Sequence, residues 1–189
     1  SLTELLVFGS RAGKAAAQFA LENPAPDTES MKLQAADEKQ RISRAFFRKE
    51  GGTERIFSLR KEMNETMEES AGIYRSENSL EEACCKIKEL KDRFSNIIME
   101  DKSINFNTEL TSALELDFML DVAEAISHSA LNRKESRGSH QRTDFPERDD
   151  DQYLAHSMAF RGDTEPHIDY KDVVITKWPP GKRVYGNQE

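Results

Sequence analysis

The sequence predicts a mainly α protein: an up-down-up three-helix bundle, preceded by one further helix and followed by a β-hairpin and an extended tail. Three observations carry this. Apolar residues recur every three or four positions in long stretches bounded by capping residues. Hydrophobic residues make up 37% of the 189 and charged residues 33%, the balance of long helices that each bury one stripe and solvate a wide polar face. Beyond Gly138 that period gives way to β-rich segments around a Gly-Asp turn.

Ser1-Leu2-Thr3-Glu4 has capping-box spacing and opens the first helix. Leu5, Leu6, Phe8, Ala12, Ala15, Ala16, Phe19 and Ala20 then keep a helical period up to Pro24, and the small residues Gly9, Ala12, Gly13 and Ala16 admit close packing. A cap at the very first residue predicts that the chain is cut from a longer protein. Pro24 and Pro26 stiffen residues 23–29 into a linker.

Four helical patterns follow. One runs from Met31 to about Arg48 and is broken by Gly51-Gly52. The next starts at a Thr53 cap, with Ile56, Leu59, Met63, Met67, Ala71 and Tyr74 recurring every three or four residues up to a stop near Gly72. A Ser79-x-x-Glu82 capping box opens the third, with Leu80, Ala83, Ile87, Leu90, Phe94 and Ile97 on one stripe. The last runs from an Asn107 cap to about Glu135. Its i,i+4 ladder of Leu110, Leu114, Phe118, Val122 and Ile126 is widened by Ala113, Leu116, Leu120 and Ala123, as contact with two neighbours requires. Three long helices on short connections pack up-down-up, crossing at about 20°. The Met63/Met67 and Phe positions read as core rather than as cofactor contacts.

Residues 153–161 and 167–176 read as the two strands of a hairpin around Gly162-Asp163, and Trp178-Pro179-Pro180 stiffens the tail. The expected organisation is therefore a terminal helix at 1–22, a linker at 23–30, the bundle at 31–138, and the hairpin and tail at 139–189.

Several function classes drop out. A net charge of −8 argues against a grip on nucleic-acid phosphates, and Lys177, Lys182 and Arg183 are too few to reverse it. Cys84 and Cys85 point about 100° apart on a helix, cannot share one metal, and read as reduced thiols of a cytoplasmic chain. No apolar run approaches the roughly 20 residues of a membrane span. The GSRAGK of residues 9–14 is one residue short of a phosphate loop, and Lys14 lacks the following Ser or Thr. His128, His140, His156 and His167 fall on separate elements without ligand spacing, and no Ser or Cys carries a nucleophile signature. No catalytic residue and no metal ligand is assigned.

The densest stretch is 132–151, NRKESRGSHQRTDFPERDDD. Its arginines and carboxylates can satisfy one another through bidentate bonds. The commoner outcome for such a run is a helix end with cations in its last turn, Gly138 as the stop, and an acidic loop in water.

Several ordered motifs carry a family resemblance. Ser1-Leu2-Thr3-Glu4-Leu5-Leu6-Val7-Phe8-Gly9 resembles the last flavin-contacting segment of fumarate reductase and succinate dehydrogenase flavoprotein subunits. Gly72-Ile73-Tyr74-Arg75, Phe106-Asn107-Thr108-Glu109-Leu110, RKESRGSHQ at 133–141, Arg148-Asp149-Asp150 and Lys182-Arg183-Val184-Tyr185-Gly186 are similar to the same family in the same order. The Gly-Ile-Tyr-Arg and Arg-Val-Tyr-Gly pieces resemble the fumarate reductase branch more than succinate dehydrogenases. L-aspartate oxidase shares the Glu-Ser-Arg-Gly-x-His motif and stands as an alternative, as does an autonomous helical interaction module.

The resemblance implies that the chain is the C-terminal third of such a subunit, a bundle of spectrin-like topology whose leading helix belongs to the FAD-binding domain. It implies FAD in the full-length subunit, with Ser1 and Leu2 at the end of the flavin-binding loop, and no cofactor on this chain alone. Implied partners are the upstream FAD-binding and capping domains, an iron–sulfur subunit and, indirectly, a membrane anchor, on the inner face of the cell membrane. The segment 133–151 is expected to lock the last helix against the flavin domain.

Overall fold

The computed structural model describes residues 2–24, 27–48 and 50–181. The chain divides into two compact units, Ser1–Arg48 and Lys49–Glu189. The fold is mainly helical with small sheets, as the sequence predicts.

In the first unit, α1 (Leu2–Glu22) buries none of its residues. Leu5 and Leu6 of its apolar face are 68% and 77% exposed. The next helix, α2 (Thr28–Ile42), starts before Met31 because the Asp27 carboxylate accepts the backbone N–H groups of Glu29 and Ser30 at 3.0 and 3.3 Å. A π-helical turn, Ser43–Phe47, closes it, with Arg48 N–H donating to Ser43 O at 3.0 Å.

The second unit is built on α3 (Ile56–Glu69), α4 (Glu77–Phe94) and α5 (Thr108–Asn132). Ion pairs fix their directions. Arg93 holds Glu54 and Glu62, and Lys86 holds Glu62, so α4 runs antiparallel to α3. Lys91 to Asp121 and Lys134 to Glu77 reverse α5 against α4. Arg60 meets Glu115, and Met67 meets Ser127 further along both helices, so α3 and α5 run parallel. The expected up-down-up bundle is what forms. Arg93 hydrogen-bonds Glu62 in bidentate fashion, holding its carboxyl down at about 2.

The core is Leu59 and Met63 from α3, Leu80, Ala83, Ile87 and Leu90 from α4, and Ala113, Leu116, Leu120 and Ala123 from α5. This corrects one expectation about α5. The residues that seemed to widen the stripe are the buried seam, while Phe118, Val122 and Ile126 of the ladder are 60%, 57% and 42% exposed. Apolar residues lie on two faces of α5, and periodicity alone does not say which one meets α3 and α4.

Caps also move. Ser76, not Ser79, caps α4; Ser79 is its N3 partner in the box, and its hydroxyl returns to the Ser76 backbone N–H at 3.0 Å. Thr53 does not cap α3. Its N–H donates to Asn96 O at 3.1 Å, in a short parallel bridge of Glu54 with Ile97 that also ends the α4 region before Ile97. Here Gly52 is required, because a Cβ would overlap the Ile97 carbonyl. Asn107 caps α5 as expected, accepting Leu110 N–H at 2.7 Å, and α5 stops at Asn132 rather than Glu135.

Two strand pairs complete the unit. A parallel pair joins β1 (Tyr74–Arg75) to β2 (Gln141–Arg142). After a one-turn helix, α6 (Asp150–Tyr153), the expected hairpin forms from β3 (Ala155–Phe160) and β4 (His167–Asp172), antiparallel from Ala155↔Asp172 to Phe160↔His167. The Arg-Val-Tyr-Gly motif at 183–186 lies outside the described residues.

Candidate functional site

The β1–β2 pair brings the Gly-Ile-Tyr-Arg and Glu-Ser-Arg-Gly-x-His motifs side by side at the end of α5. Gln141 N–H donates to Ile73 O at 3.3 Å and Thr143 N–H to Arg75 O at 2.8 Å. The left-handed φ of Gly138, +61°, turns the chain back, and Arg137 and His140 close that turn with paired backbone bonds.

Inside the corner two residues of the charged run leave the solvent. Glu135 is 0% exposed and Arg142 is 1% exposed, so these two charges are packed inside, while Asp149 and Asp150 are half-buried and Asp151 is exposed. Burial raises the cost of a charged Glu135, but bonds from Arg137, the Asp149 N–H and Arg133 outweigh it and hold its carboxyl below the usual range. Arg137 binds it in a fork, Nε at 2.8 Å and Nη2 at 2.9 Å, and Asp149 N–H donates to Oε2 at 2.8 Å. The other side of Arg137 reaches Asp150 Oδ1 at 2.7 Å.

Arg142 closes the end of α5. Its Nη1 donates to Ala130 O and Leu131 O at 3.1 Å each and to Arg133 O at 3.3 Å, taking carbonyls that the helix leaves open. Asp144 receives its Nε and Nη2 and also caps α4 at Glu77 N–H, 2.8 Å each; the Arg142 bonds hold Asp144 well below the ordinary carboxylate range. Arg133 ties the corner to the hairpin, donating to Tyr153 O at 2.8 Å and Ser157 Oγ at 3.2 Å, with Tyr153 and Tyr170 rings against its guanidinium.

His140 is a structural link. Arg75 Nη1 lies 2.9 Å from Nδ1 and Arg133 O lies 3.0 Å from Nε2. A guanidinium can only donate, so Nδ1 accepts and Nε2 carries the proton in a neutral ring. Burial lowers the His140 pKa, and the nearby guanidiniums of Arg75, Arg142 and Arg133 act in the same direction. Sequence spacing missed this role, together with those of Arg75, Arg142 and Ser136, because the parallel strand pair joins residues sixty-seven positions apart in the chain.

Of the residues assigned to the flavin, Ser1 lies outside the described residues, and Leu2 is the exposed first residue of α1, at 78%. Among the described residues there is no group of His, Cys, Asp or Glu able to hold a metal ion, and no helix is long and apolar enough to cross a membrane.

Residues 60–185 match the family described as fumarate reductase flavoprotein C-term. The chain is 49% identical to a fumarate reductase flavoprotein subunit of Mycobacterium tuberculosis over 98% of its length, covering 33% of that subunit. It is 35% identical to the succinate dehydrogenase flavoprotein subunit of Rickettsia conorii over 98% of its length, covering 32% of that subunit. A solved quinol fumarate reductase of E. coli superposes on 100% of the chain with a TM-score of 0.91 at 41% identity, covering 32% of the solved chain. The chain thus spans about a third of the length of the curated relatives it matches. It belongs to the family of fumarate reductase and succinate dehydrogenase flavoprotein subunits, and corresponds to their C-terminal helical domain.

Proposed function

We propose that this chain is the buttress of an FAD-dependent subunit that interconverts fumarate and succinate, holding the flavin domain and setting the face that meets an iron–sulfur subunit. The observation that supports this most is the end-to-end match of the chain to the last third of fumarate reductase flavoprotein subunits. In that reading, electrons leave through the iron–sulfur partner toward quinone and a membrane anchor, and the assembly lies on the cytoplasmic side of the membrane. Residues 1–22 serve as the terminal helix of the flavin domain, 23–30 as linker, 31–138 as bundle, and 139–189 as hairpin and tail.

Ser1 and Leu2 would hold the flavin. Leu2 is exposed at the start of a 21-residue helix, whose first-turn amides have no intrahelical acceptor and carry partial positive charge. That end fits a carbonyl or an anionic nitrogen, worth about 0.3–1 kcal/mol and up to ~2 kcal/mol if partly buried. Glu4 in the same turn works against a full negative charge. When bound, FAD supplies the hydride chemistry at the C2–C3 bond of the dicarboxylate. The 189-residue chain is inactive alone, since no catalytic group is assigned to it.

Two measurements test the proposal. In the intact subunit, Arg137→Ala should lower FAD retention or association with the iron–sulfur subunit. Unchanged flavin content and unchanged association would remove the buttress role. The chain by itself should be colourless and fail to oxidise succinate; a bound prosthetic group with turnover would overturn the assignment.

A further inference from the structure

His140 sits where three elements cross. Its ring spans from the Arg75 guanidinium on β1 to the Arg133 carbonyl past the end of α5, and its backbone closes the turn that leads into β2. The pairing it stands beside is small. Backbone bonds from Gln141 N–H to Ile73 O and from Thr143 N–H to Arg75 O carry it, with the Thr143 hydroxyl adding one to Arg75 O at 3.1 Å. Both ring nitrogens of His140 have partners in this chain, so no outside group is needed to hold the ring.

The charges around the ring are of one sign. Arg75 from β1, Arg133 from the end of α5 and Arg142 from β2 all act on it, and Ile126, Ser129 and Ser157, which share its cleft, are uncharged. The carboxylates of the corner are committed elsewhere: Glu135 to Arg133 and Arg137, Asp144 to Arg142, and Asp150 to Arg137 and Arg148. Those bonds hold all three below the usual carboxylate range, so His140 titrates before them on acidification. A proton added to the neutral imidazole turns Nδ1 from acceptor to donor. It then points an N–H at a guanidinium that can only donate, and sets one cation against another.

We propose that the Arg75–His140 contact is a proton-operated latch: with the imidazole neutral it clamps the α3–α4 connection to the start of β2, and one proton on Nδ1 parts the two and frees β1 from β2. The opening is local. Arg142 keeps its bonds to Asp144 and to the α5 carbonyls, and Asp144 keeps the first turn of α4, so the connection at 72–75 is the part that moves. The core of Leu59, Ile87 and Leu116 has nothing to titrate and stays closed. The latch stands apart from the flavin reading, since it uses neither Ser1 nor Leu2.

The test is amide hydrogen exchange of the full chain, read by NMR at about pH 7.5 and about pH 5.5 and corrected for the intrinsic pH dependence of exchange. The Gln141 and Thr143 amides should lose about tenfold in protection at the lower pH, because the freed ring takes a proton near its ordinary value and the latched ring resists it. The Ile98 and Leu110 amides, bonded to Glu54 O and to the Asn107 side chain away from the corner, should keep their protection. His140→Gln should remove the pH effect at Gln141 and Thr143. Arg75→Met should raise the pH at which the His140 ring titrates, read from its Cε1 proton, and leave those two amides weakly protected at both pH values. A persisting tenfold loss in the His140→Gln chain, an equal loss at Ile98 and Leu110, or an unchanged His140 titration in the Arg75→Met chain would each overturn the proposal.

Discussion

Arg142 and Asp144 meet through two parallel hydrogen bonds of 2.8 Å, and that pair joins the beginning of α4 to the end of α5. Asp144 caps the first helix while Arg142 takes the last carbonyls of the second. One two-residue step therefore satisfies backbone groups of both helices at one end of the antiparallel pair.

Arg142→Leu should lower the unfolding free energy by about 3–5 kcal/mol. The leucine fits an apolar core but leaves buried carbonyls without donors and Asp144 without its counter-ion. Urea denaturation of the two chains checks this. A loss below about 1 kcal/mol would mean that water replaces the guanidinium.

Glu135→Gln tests whether burial sets the value of an ion pair. Glu135 is fully buried and receives Arg133, Arg137 and a backbone amide, so its neutralisation should cost about 3 kcal/mol. The exposed Glu29–Lys32 pair is the control, with side chains 75% and 71% exposed. Glu29→Gln should change stability by less than about 0.5 kcal/mol. Thermal melts of both variants decide between the two environments.

His140 gives a pH prediction with a definite sign. Its folded pKa lies below the ordinary 6.5, so below that value the unfolded chain binds the proton and the folded chain resists it. Stability is then full above about pH 6.5 and is lost as pH falls through the unfolded value toward the folded one. The melting temperature should drop between about pH 7 and pH 5.5, ahead of carboxylate titration. His140→Gln can keep an acceptor for Arg75 and a donor for Arg133 O, and should flatten this part of the profile.

Asn107→Ala should cost about 1–2 kcal/mol. Asn107 accepts Leu110 N–H and also donates to Asp101 O and Ser103 O at 2.9 Å each, so the alanine removes a cap and frees the loop before α5. Hydrogen exchange at the Leu110 amide should rise while the far end of α5 keeps its protection; equal exchange in both chains would count against the cap.

The sequence by itself determined the elements whose signals are local. The Asn107 cap, the long helices and the hairpin each follow from residues a few positions apart, and motif order sufficed to identify the family. Near misses such as Ser79 for Ser76 arise because both serines belong to the same box, and their spacing to Glu82 and Ser79 respectively is the same. Tertiary structure decided two things. It chose the buried face of α5, because Leu116 and Phe118 are equally apolar and only the positions of α3 and α4 distinguish them. It also buried two members of a charged run: Glu135 and Arg142 read as solvated until β1 pairs with β2 and folds the run over the end of α5. Burying such charges is tolerable only when every partner arrives together, and that condition belongs to three-dimensional packing rather than to any stretch of sequence.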